Sequence, residues 1–194
     1  MHRKMPQRVV ALFSLLATPA AFAHTGIGDP GGLSHGFVHP LAGVDHLLAM
    51  VAVGLWAAQR GGRMPWLAPL AFLALMTLAA ALAVAGVTLP KVELGIAASV
   101  TAFGLLVLFG RQVTPAVGLA LIGGFAVFHG HAHGTEMPLA ASGLLYGAGF
   151  MLATAALHAG GLLVGLAARA CASERLLRYS GVALTGGGLY LIGA

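Results

Sequence analysis

The chain has 194 residues, 59% of them hydrophobic and 8% charged, with 10 Lys and Arg against 5 Asp and Glu for a net charge of +5. A soluble domain carries about 25% charged residues, so this composition excludes a soluble globular protein and points to an all-α, polytopic membrane helix bundle. The basic residues form no amphipathic or aromatic-interleaved surface, which argues against nucleic acid as a partner; they read as topology signals instead.

Residues 1–23, "MHRKMPQRVVALFSLLATPAAFA", have the three-part layout of a secretory signal peptide. Arg3, Lys4 and Arg8 precede the apolar run Val9–Ala17, Pro19 breaks the helix, and Ala21 and Ala23 supply the A-x-A site. The run is too short to span a bilayer, which needs about 20 residues. Cleavage is expected after Ala23, leaving the mature N-terminus outside the cytoplasm. His24 would then combine an imidazole with a free α-amine of pKa about 8, a pair able to chelate one metal ion, unless its position is coincidental.

A glycine-rich lead-in, "HTGIGDPGGLSHG", holds Asp29 and His35. Beyond it lie six apolar segments, at approximately 37–58, 66–87, 92–109, 114–133, 140–168 and 176–193. Each is near the length of a membrane helix, giving one six-helix transmembrane domain over residues 24–194.

The first segment opens with "HPLAGVDH". His39, Gly43, His46 and Met50 follow the i, i+4, i+7, i+11 rhythm and would share one helix face, with His39 about 10 Å above His46. Asp45 lies about 100° round from His46, placed to join the same site or to orient the imidazole. Met50 reads as packing.

The second segment has no acid or histidine, and Glu93 stands at the outer start of the third. In the fourth, His129 and His133 are i, i+4, Glu136 would extend that face, and His131 points away. His158 lies inside the fifth, either as an exit-side station or as a structural hydrogen-bonding group. Cys171 has no partner for a disulfide and no metal knuckle, and reads as an incidental thiol.

With the N-terminus outside, the loops after the first, third and fifth segments face the cytoplasm. They hold Arg60, Arg63, Arg111, Arg169, Arg175 and Arg178, while the outer loops hold only Lys91. This positive-inside bias agrees with the orientation drawn from residues 1–23. On that topology His39, Asp45, His46, Glu93, His129, His133 and Glu136 all gather near the extracytoplasmic surface.

Glycine is abundant, with 29 residues, including the small-xxx-small pairs Gly143–Gly147 and Gly161–Gly165. Such residues let membrane helices approach closely, within one chain or in a homo-oligomer. No phosphate-cradling P-loop pattern is present.

Burying an acid at a helix centre costs at least about 2.5 kcal/mol, which a chain tolerates when the groups pair or hold an ion. The donor set is imidazole and carboxylate without thiolate. It suits Ni, Co, Zn or Cu(II) better than Cu(I), Mg or Ca, and does not choose among the first four.

"HPLAGVDH" (His39, Pro40, Gly43, Asp45, His46) together with "FHGHAHGTEMP" (His129, Gly130, His133, Gly134, Glu136, Pro138) resembles the HupE/UreJ family of bacterial nickel/cobalt permeases. The resemblance covers nearly the whole chain. It implies import of Ni²⁺ or Co²⁺ as transported substrate, with no prosthetic group, to supply hydrogenase or urease. The expected location is the bacterial inner membrane, surrounded by lipid, and the signal peptide, the basic loops and an even number of spans put the mature N-terminus and the C-terminus on the periplasmic side. Carried over by position, His39, Asp45, His46, His129, His133 and Glu136 are the transport residues, with Glu93 a further candidate. The rival readings are a zinc-dependent membrane hydrolase, for which no H-E-x-x-H helix exists, and a metal-binding accessory protein that moves nothing.

Overall fold

In the computed structural model, residues 32–137, 143–171 and 173–194 are described. The signal-peptide reading of residues 1–23, together with His24 and Asp29, lies outside them. The described residues form α1 (Leu33–Ala42), α2 (Val44–Arg60), α3 (Met64–Val84), α4 (Val92–Phe109), α5 (Pro115–Thr135), α6 (Gly143–Ala170) and α7 (Glu174–Gly193), with a 3-10 turn at Gly110–Gln112. No strand occurs among them. The protein is an all-helical membrane protein.

Helices answer the demands of lipid, where backbone polar groups must be satisfied within the segment. Helices α3, α5 and α6, and α4 with its following 3-10 turn, are each long and apolar enough to cross a membrane, and α1 with α2 passes the same test as one bent pair. Helix α7 occupies the sixth expected segment. It is long enough, but Arg175, Arg178 and a run of glycines dilute its apolar character. Leu70, Leu78, Leu82, Leu163 and Leu189 are exposed, a surface that suits acyl chains rather than water. Trp66, Tyr179 and Tyr190 are exposed near helix ends, as in the aromatic belts at membrane interfaces.

The first segment differs from the single helix expected over 37–58. It is two helices bent by 87° at Gly43, so His39, Gly43, His46 and Met50 do not share one continuous face. The local chemistry explains the break. Pro40 removes one backbone donor, Gly43 is a poor helix former and takes an extended conformation, and the Asp45 carboxylate accepts from the backbone N–H of His46 at 2.7 Å. A side chain at Gly43 would also be crowded, forcing its neighbours to give by a few tenths of an ångström. An added Cβ would stand 3.0 Å from Asp45 Oδ1 and 3.1 Å from His46 Nδ1.

Other helix ends follow ordinary rules. Thr114 caps α5, its Oγ1 accepting from Val117 N at 3.4 Å, with Pro115 next in the first turn. Gly61 and Gly62, both at positive φ, turn the chain between α2 and α3 where a Cβ would be strained.

Helices α1 and α2 lie against α6, α3 against α5, and α4 against α7. The contacts run through small residues. Gly149 meets the backbone of Leu33, Gly161 that of Val51 and Gly130 that of Met76, so backbones touch without intervening side chains. Gly161 and Gly165 thus pack α6 on α2 within the chain, whereas Gly147 and Gly186 face no neighbour within 4 Å. The core between the helices is filled by Met50, Trp56, Phe72, Phe103 and Ile122.

Candidate metal site at one end of the bundle

The break at Gly43 brings α1 and the first turn of α2 together at one end of the bundle, opposite the last turns of α5. His39 Nε2 stands 3.3 Å from Glu136 Oε2, and His133 Nδ1 lies 3.7 Å from the same oxygen. One ligand atom from each of His39, His133 and Glu136 lies within 4.8 Å of the others. The trio is graded in depth: the side chains are 25% exposed at His39, 51% at Glu136 and 6% at His133. An ion held there would face water on one side and the bundle on the other. The hydrogen bond from His39 holds the Glu136 carboxyl below its ordinary pKa, against the opposing effect of partial burial.

Beneath the trio sits His46. Its ring centroid is 4.4 Å from that of His133 and 4.7 Å from that of His129. Asp45 Oδ1 accepts from His46 Nδ1 at 2.9 Å, which fixes the ring orientation and leaves the lone pair on Nε2. That nitrogen is buried and has no hydrogen-bond partner. A carboxylate behind an imidazole whose other nitrogen is free is the arrangement that orients metal-binding histidines.

His129 is oriented by a different device. The Ser99 hydroxyl donates to Ile96 O at 2.6 Å and lies 2.8 Å from His129 Nε2. Its one proton committed, Ser99 accepts from Nε2–H, and the His129 lone pair is therefore on Nδ1. Four histidines from α1, α2 and α5 thus form a continuous column with Glu136 at its outer end.

The remaining sequence candidates fall elsewhere. Glu93 is exposed in the first turn of α4 and does not belong to the His39–His133–Glu136 group. His131 turns from the column, its Nε2 donating to Val87 O at 2.9 Å, which ties the end of α5 to the α3–α4 connection. Met50 is fully buried in the core, as expected of a packing residue. His158 is buried deep in α6 against Phe72, with ring centroids 5.1 Å apart.

Sequence reasoning missed Ser99, Tyr146 and Phe150. Tyr146 stands edge-on to His35 and His39, and the Phe150 ring is 4.0 Å from that of His133, so α6 supplies an aromatic wall to the site. The one available signal was Ser99 itself, one of two hydroxyls, with Thr101, inside a mostly apolar helix. A cavity of about 720 Å³ lies at the opposite end of the bundle, lined by Gln59, Arg111, Arg169, Glu174 and Arg178 among others. It takes no part in this site.

A lipid-facing helical bundle that gathers imidazoles and a carboxylate at one end is a multi-pass membrane protein with a candidate divalent-ion site. The family model described as HupE / UreJ protein matches residues 11–191. Protein HupE of Rhizobium leguminosarum bv. viciae is 40% identical over 185 residues, covering 94% of this chain and 96% of that relative. The chain belongs to the HupE/UreJ family. No solved structure matches it significantly.

Proposed function

We propose that the protein is a permease that imports Ni²⁺ or Co²⁺ across the bacterial inner membrane, taking the ion at His39, His133 and Glu136 on the periplasmic side, to supply hydrogenase or urease. The convergence of those three side chains from α1 and α5 at a half-open mouth is the observation that carries this reading. Family membership supports it. His46, held by Asp45, and His129, held by Ser99, take the ion next; each offers a neutral nitrogen donor suited to a borderline metal.

The donors must bind well enough to strip part of the hydration shell and weakly enough to release the ion inward. The lead-in groups, His24 among them, would collect hydrated cations, and Glu93 is a further candidate for the transport path. Flux into proteoliposomes, measured with Ni²⁺, Co²⁺, Zn²⁺ and Cu²⁺ side by side, tests the proposal. Saturable Ni²⁺ or Co²⁺ flux that disappears in His133→Ala is the expected result. Tightly held, stoichiometric zinc without flux would replace it with the hydrolase reading.

A further inference from the structure

At the foot of the column, around His129, the bundle buries further polar groups. His129 and Thr154 are 0% exposed and His158 is 1% exposed. His129 Nδ1, both ring nitrogens of His158 and Thr154 Oγ1 have no hydrogen-bond partner among the described residues. An unpaired buried hydroxyl or imidazole nitrogen costs on the order of 1–3 kcal/mol, and four such atoms in one region call for a ligand. His129 and His158 both rest on the ring of Phe72, with centroids 5.5 and 5.1 Å from it. Thr154 is one turn from His158 on the same face of α6. At 1.5 Å per residue, His158 is about 22 Å along α6 from its first residue, and His129 is about 9 Å from the last residue of α5.

We propose that His129 and His158, with the Thr154 hydroxyl, form an inner metal station through which the ion passes after leaving the outer site. It rests on the reading of His39, His133 and Glu136 as the outer site. The donor chemistry gives the station a distinct task. It offers two neutral imidazoles and a hydroxyl but no carboxylate. Cations that require mainly oxygen ligands, such as Mg²⁺ and Ca²⁺, find poor replacement there for their hydration shells, whereas Ni²⁺ and Co²⁺ accept imidazole. Lacking a negative charge, it holds the ion less tightly than the mouth does, as onward release requires. Gly54 on α2 packs directly against the backbone of His158, so α2 and α6 are in close contact at this level.

Purified full-length protein titrated with Co²⁺ and followed by its visible absorption tests the station, alongside Co²⁺ flux in proteoliposomes. The wild type is expected to show two binding events, the weaker one at the inner station. His158→Leu, which fills the volume without a donor atom, should abolish the weaker event and lower flux at least about tenfold, the scale for disturbing a metal-site group. The tighter event should persist, which also reports an intact fold. His158→Gln, which keeps size and hydrogen-bonding capacity, should behave the same way. Wild-type flux in either variant overturns the station, and so does lost flux with both binding events unchanged, which would mark His158 as a packing residue. His133→Ala separates the two readings: if it leaves the tighter event and the flux intact, the outer-site reading fails, while the inner station still stands or falls on the weaker event.

Discussion

At the Asp45–His46 pair, a single hydrogen bond decides which imidazole nitrogen is left free for a ligand. Asp45→Asn keeps the shape but allows the amide N–H to face Nδ1, releasing the tautomer. Uptake should fall about 10–100-fold, the usual cost of losing such an orienting partner, with the protein still inserted. His46→Ala should abolish uptake. His131→Ala should cost little transport, because its ring bonds Val87 O away from the column; equal losses at His46 and His131 in a flux assay would undo the site. Protons compete with metal for imidazole, so uptake at constant driving force should weaken on acidification from neutral pH. Glu136 does not set that profile. Its carboxyl is held below the ordinary range, so it remains ionised until well below that pH. A flat profile from about pH 5 to 7.5 would count against histidine coordination.

The broken helix is the element on which the geometry turns. Were 37–58 straight, His39 and His46 would be stacked along one axis; the 87° bend instead aims both at α5. Gly43→Ala puts a methyl group within about 3 Å of the Asp45 carboxylate and the His46 ring, and should lower metal uptake more than it lowers the amount of folded protein. The α2–α6 seam behaves differently. Gly161→Leu drives a side chain into the Val51 backbone, an overpacking that costs typically 1–3 kcal/mol, and should show as earlier thermal aggregation of detergent-solubilised protein. Segment lengths for α3 to α6 were legible because apolar runs of membrane length have few alternatives. The bend was not: Pro40 and Gly43 announced weakness in a helix, but the angle depends on what α6 and α5 offer for packing.

On the scale of the whole molecule, the arginines crowd one end and the imidazoles the other. Arg169 donates to Ala58 O and Arg60 to Arg111 O, fastening helix ends at the basic face. With that face cytoplasmic, the exposed thiol of Cys171 should escape a membrane-impermeant maleimide in intact spheroplasts and react after permeabilisation. Labelling from outside would invert the topology and put the candidate site on the wrong side for import. Grouping of the polar residues by side was readable from segment order alone, since antiparallel spans return the ends of alternate helices to the same surface.

The sequence by itself determined that this chain lives in a membrane as helices, and which side chains were too polar to be there for packing. Both follow from transfer energies, which depend on residue type and not on neighbours. Tertiary structure decided which of those side chains meet. It joined His39 to Glu136 across two helices, gave His129 its free nitrogen through Ser99, sent His131 to a backbone carbonyl and left Glu93 outside the cluster. Such pairings depend on the angle at Gly43 and on where small residues let helices touch, and helical periodicity carries neither.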